Sequence, residues 1–146
     1  MSPPSAWLRS ASGFPPNGLE LTVTYRTGNR SSRNHVRYLN PVLSPVFGSR
    51  LFPGSLNLWA SSPIAYPDPA VVPIEGFDWK FVPIVIMEDA VGVAARRADS
   101  GDIKFIEVFA PTKLAPHLGL TPEDQLTVRL LSGAHLGLMG QGQRRR

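Results

Sequence analysis

Leu51-Phe52-Pro53-Gly54-Ser55-Leu56-Asn57-Leu58 decides how the rest of this chain is read. A Pro-Gly turn is followed by two small polar residues, Ser55 and Asn57, that alternate with Leu56 and Leu58. Side chains on a strand point to opposite faces in turn, so Ser55 and Asn57 share one face and the leucines the other. An ordinary half-buried strand alternates in the same way, so the stretch gains meaning from its surroundings. Near the far end it has an echo, Ile106-Glu107-Val108-Phe109-Ala110-Pro111.

Five further segments carry β signals. Residues 19–25 alternate apolar and polar side chains and are rich in β-formers, the clearest strand pattern in the chain. Residues 77–87 are β in composition, and Pro83 within them argues for an edge or a bulge. Short apolar strands follow at 91–95 and 104–109, and residues 126–131 form the closing strand. Glu88-Asp89 and Asp99-Ser100-Gly101-Asp102 mark turns, as does Thr121-Pro122-Glu123-Asp124 with proline second. Residues 112–118 read as one short helical turn ended by Gly119. Pro41 and Pro45 limit any helix in residues 39–47 to a turn or two. Residues 60–73, with Pro63, Pro67, Pro69 and Pro73, read as an irregular connection. The organisation is an arm over residues 1–18, a β-domain over 19–132 and a Gly/Arg-rich tail over 133–146.

A length of 146 residues suits one domain with one core, and 42% hydrophobic with 18% charged residues describes a globular chain. No apolar run reaches the roughly 20 residues of a membrane span, so no membrane association is expected. Residues 1–16 lack the basic end and continuous apolar stretch of a secretory signal, and there is no cysteine. Both point to the cytoplasm and exclude a disulfide framework or a thiol nucleophile. Arg144, Arg145 and Arg146 supply three of the +4 net charges, leaving the body near +1. The global charge therefore argues against nucleic acid, and the electrostatic argument passes to local clusters. One such cluster is residues 26–38, where Arg26, Arg30, Arg33 and Arg37 stand among Gly28, Asn29, Ser31, Ser32, Asn34 and His35. As a loop it offers guanidinium forks and backbone N–H groups to phosphate oxygens, or else a solvated basic surface.

Gly48, then Gly54-Ser55-Leu56-Asn57, then Glu107-Val108-Phe109-Ala110-Pro111, Leu114, Leu118-Gly119-Leu120 and Asp124 follow one another in an order that resembles the archaeal CTP-dependent riboflavin kinases. These are cradle-loop barrels, a group that also includes swapped-hairpin transcription factors of the AbrB type. The resemblance spans about residues 19–131 and rests on the order and spacing of motifs that are each weak alone. It implies a mainly β chain, a six-stranded cradle-loop barrel with one or two short helices and a nucleotide site at one end. The implied chemistry is Mg²⁺-assisted phosphoryl transfer from CTP to riboflavin, giving FMN. Ser55, in place of the usual Thr, and Asn57 would hold the Mg²⁺, which needs few protein ligands because phosphates and water supply the rest. Glu107 would orient or deprotonate the attacking hydroxyl. Arg26, Gly28, Arg30, Arg33, Gly54 and Arg97 would contact the nucleotide. Where the family has a Gly-x-Gly-x-Gly-type loop, this chain keeps only Gly28 among arginines, whose side chains would take over anion binding.

Glu107 also has a plainer reading, as a barrel-rim residue paired with Arg96 or Arg97. Two other functions fit the same pattern: a barrel that binds a nucleotide or flavin without turnover, and an AbrB-like DNA-binding protein with the arginines on phosphates. The chain has no Gly-x-x-x-x-Gly-Lys-Ser/Thr loop and no His-Glu-x-x-His pair. His35, His117 and His135 have no paired spacing, and residues 132–134 lack a nucleophile elbow. Trp59, Trp79 and Phe81 are expected to fill the barrel core. The oligomeric state is left open.

Overall fold

The computed structural model describes residues 18–28 and 32–138, with Ser32 and Arg33 described by backbone alone. Seven strands run β1 (Leu19–Tyr25), β2 (Leu56–Ile64), β3 (Ala70–Ile74), β4 (Phe77–Ile86), β5 (Ala90–Arg97), β6 (Ile103–Phe109) and β7 (Gln125–Leu130). Helix α1 (Ser32–Phe47) lies between β1 and β2, and the single-turn α2 (Leu114–His117) between β6 and β7. All pairings are antiparallel, in the order β3-β4-β5-β6-β2-β1-β7. A further pairing, Ile84 to Leu130 through Ile86 to Val128, joins β4 to β7 and closes β4, β5, β6, β2, β1 and β7 into a six-stranded barrel. Strand β3 is an extra strand on the flank of β4. This is the mainly β barrel with short helices that the sequence implies.

Alternation along each strand separates two apolar layers. Val23, Leu56, Leu58, Val82, Ile84, Ile86, Ile106, Val108, Val128 and Leu130 point inward and fill the barrel. The outward residues Trp79, Phe81, Val85, Val91, Val93 and Phe109 pack beneath Val36, Leu39, Leu43, Val46 and Phe47 of α1. Leu39 and Leu43 are fully buried, each worth roughly 2 kcal/mol of apolar transfer.

Four expectations require correction. Residues 32–47 form a 16-residue helix, not a basic loop followed by a turn or two. Its apolar positions 36, 39, 43, 46 and 47 recur at helical spacing, and Pro41 and Pro45 stand on its exposed face. The carbonyls these prolines leave without an N–H partner belong to Arg37 and Pro41, which are themselves exposed. Residues 60–73 are largely strand: β2 runs on to Ile64 through a register shift after Trp59, and β3 follows. Pro73 fits because β3 is the edge. Pro83 lies in a strand with partners on both sides, at the point where β4 passes from β3 to β7, and its carbonyl accepts the Leu131 N–H at 3.0 Å. Trp79 and Phe81 are buried, but in the layer beneath α1 and not inside the barrel, whereas Trp59 is 37% exposed and stacks on Phe105 at 4.9 Å outside the barrel. From the end of β7 to Leu138 the described chain stays packed, with Leu136 and Leu138 buried against the outer layer.

Candidate functional site

The quoted stretch and its echo are neighbours. Leu56 pairs with Val108 and Asn57 with Glu107, and the Phe52 N–H donates to the Ala110 carbonyl at 2.9 Å. Leucines and valines of these strands enter the barrel, which leaves Ser55, Asn57 and Glu107 on the outer face near one rim. Ser55 Oγ lies 3.1 Å from Asn57 Oδ1 and donates to Glu107 Oε2 at 2.9 Å. The other oxygen of Glu107 accepts from His35 Nδ1 at 3.1 Å. A carboxylate offers only acceptors, so Nδ1 carries the proton. The Glu107 side chain is 9% exposed and that of His35 36%.

Loop and helix both close on this strand pair. Arg26 N–H donates to the Asn57 carbonyl at 3.2 Å, and Gly28 rests directly against the Asn57 amide, where a Cβ would overlap Nδ2. Gly28 is required here for close approach. With Nδ2 turned to Gly28, Asn57 presents Oδ1 to Ser55. Asn40 of α1 accepts the Leu51 N–H at 3.0 Å, tying the helix to the start of the stretch.

Beside these oxygens a cleft of about 300 Å³ opens at the rim, bordered by Tyr25, Gly28, Gly54, Ser55, Asn57 and Lys113 among others. Such a volume is at the lower end of small-molecule sites. Lys113, just before α2, reaches over the Phe52 ring at 5.9 Å. Gly119, with φ of +68°, ends the α2 turn as its position in the sequence predicts. Glu107 lies behind Ser55 and Asn57, between the cleft and α1.

The sequence-derived residues divide accordingly. Gly28, Gly54, Ser55, Asn57 and Glu107 come together. Arg26 pairs with Glu123 at 3.4 Å on the surface. Arg97 is bound to Asp99 at 3.0 and 2.6 Å and covers the Phe77 ring at 3.6 Å, two residues beyond Ala95, the partner of Glu107, toward the opposite rim. Arg30 and the side chain of Arg33 lie outside the described residues. Arg96 is buried at the opposite end, donating to the carbonyls of Ile64, Gly101, Ile103 and Phe105 at 2.7–3.4 Å. The ion-pair partner of Glu107 is thus His35, in place of either arginine. His35 and Lys113 are additions that sequence reasoning missed. Lys113 directly follows Pro111-Thr112 and was visible as a cation beside the echo, whereas His35 required the helix.

The hydrogen bond that His35 donates to Glu107 raises the His35 pKa above its usual 6.5, against burial and the Arg97 charge, which lower it. The oxygens of Ser55 and Asn57 also suit Mg²⁺. They lie 3.1 Å apart, joined by the hydrogen bond from Ser55. Among the described residues no group of three or more His, Cys, Asp or Glu is placed to hold a metal.

No family model matches the chain, and no curated protein is significantly similar to it. Among the described residues no helix is long and apolar enough to cross a membrane.

Proposed function

We propose that this barrel is a phosphotransferase of the riboflavin-kinase type, which binds a nucleoside triphosphate such as CTP with Mg²⁺ at the rim cleft and phosphorylates riboflavin or a related hydroxylated acceptor. One observation carries the reading: Ser55 and Asn57 border a cleft that also presents Lys113 and Gly28, and Glu107 stands directly behind them, hydrogen-bonded to Ser55. Mg²⁺, when bound, neutralises phosphate charge. Ser55 and Asn57 would hold the ion, and Lys113 would face the phosphates of the departing nucleotide. Glu107 Oε2 accepts the proton of the acceptor hydroxyl as that oxygen bonds to the terminal phosphorus. The bond from phosphorus to the bridging oxygen breaks, and a nucleoside diphosphate leaves. Positioning supplies most of the rate in such a transfer. The absence of cysteine and the use of a nucleoside triphosphate fit a cytoplasmic protein.

A second reading, binding without turnover, is favoured by one detail: both oxygens of Glu107 are already engaged, by Ser55 and His35. A product assay separates the two. Incubation with CTP, riboflavin and Mg²⁺ is expected to yield FMN and CDP in equal amounts, and ATP in place of CTP tests the base preference. Tight nucleotide binding with no phosphorylated product would retire the kinase and leave the binding module.

A further inference from the structure

Glu107 is held from two sides, and only one of the two partners belongs to its own wall of the barrel. Ser55 reaches Oε2 from the start of β2, whereas His35 reaches Oε1 from the first turns of α1. The imidazole is fixed in turn by the Trp79 ring, which it meets edge-on at 5.5 Å with a 73° angle between planes. Packing of α1 does not depend on this residue, since Val36, Leu39, Leu43, Val46 and Phe47 carry the buried face. A histidine that stays a third exposed yet directs Nδ1 to a carboxylate set in the wall contributes orientation more than core.

We propose that His35 is a positioning residue of this site: its Nδ1–H anchors Oε1 of Glu107 and thereby aims Oε2 at Ser55 and at the hydroxyl of a small acceptor. The role rests on the phosphoryl-transfer reading above. A carboxylate anchored at one oxygen loses its rotation about the last side-chain bond. The remaining oxygen then keeps one direction in which to take a proton. Without the anchor the group turns between Ser55 and solvent, and the productive geometry becomes one of several. Trp79 supports the same orientation by packing edge-on against the ring.

The test compares wild type, His35→Ala and His35→Asn as full chains, with CTP, riboflavin and Mg²⁺ as the reactants. The Asn amide N–H can occupy the place of Nδ1–H. His35→Ala is expected to lower kcat by about tenfold or more with the KM for CTP within about twofold. His35→Asn should recover most of the loss, and adding His35→Ala to Glu107→Gln should cost nothing further. Thermal melting shows whether each variant folds; if His35→Ala does not, His35→Phe, which keeps a ring against Trp79 without the donor, replaces it. An unchanged kcat, a loss confined to KM, or no recovery with Asn would overturn the role while leaving the kinase reading in place. Absence of product from wild type removes the kinase reading and the role with it. In that event nitrogen NMR of the ring still reports the His35 to Glu107 bond, through its change in Glu107→Gln.

Discussion

Gly28 has no room for a side chain, because the position of its Cβ is taken by the Asn57 amide. Gly28→Ala must displace either the loop or Asn57. We expect nucleotide affinity to fall at least tenfold, with a melting temperature lowered by a few degrees, measured by calorimetry and by circular dichroism. Asn57→Ala should weaken Mg²⁺-dependent nucleotide binding and leave the fold intact, since its side chain lies on the outer face and fills no core. The His35 to Glu107 pair has a definite pH sign. The ring pKa is raised in the folded chain, so the stabilisation is fully present below the unfolded value of about 6.5 and is lost as pH rises through the higher folded one. The melting difference between wild type and His35→Ala should therefore be larger at pH 6 than at pH 8.5. A difference that grows with pH would contradict the pairing. At this scale the sequence showed Ser55, Asn57 and Glu107 through strand alternation and a family resemblance. It did not show His35, whose contact spans 72 residues and needs a helix to deliver it.

Helix α1 decides how much of the site is covered. Two prolines hid it from sequence reasoning, because a proline in a helix interior costs about 3 kcal/mol relative to alanine. The apolar spacing from Val36 to Phe47 was the stronger signal, and burial against the outer faces of β4 and β5 outweighs the local penalty. Leu43→Ala should cost about 2–5 kcal/mol in urea unfolding. Pro41→Ala, on the exposed side, should raise stability, because the new N–H can pair with the Arg37 carbonyl. The strands were legible where they alternate, as in β1, or run apolar, as in β4. Strand β3 and the second half of β2 were not, since their prolines sit at an edge and beyond a register shift, where the ladder tolerates them.

The barrel has two unlike ends. One carries the cleft. The other is stoppered by Arg96, whose guanidinium meets four backbone carbonyls and lies 3.9 Å from the centre of the Tyr66 ring. Burial pushes the Tyr66 hydroxyl up to about 12, so the ring stays neutral beside the cation. Arg96→Ala should destabilise the fold by about 3 kcal/mol without altering nucleotide affinity, because the carbonyls it serves would be left without donors. Closure itself was implied by the resemblance and is achieved through β4 and β7, whose paired residues, such as Ile84 with Leu130, stand more than 40 positions apart in the chain. In the proposed function the open end is a Mg²⁺-dependent nucleotide site. Its most direct test is isothermal calorimetry of CTP against wild type and Asn57→Ala, each with and without Mg²⁺. Binding to wild type is expected to require Mg²⁺ and to fall at least tenfold in the variant. CTP, ATP and riboflavin all failing to bind, or a wild-type affinity indifferent to both Mg²⁺ and Asn57, would contradict it.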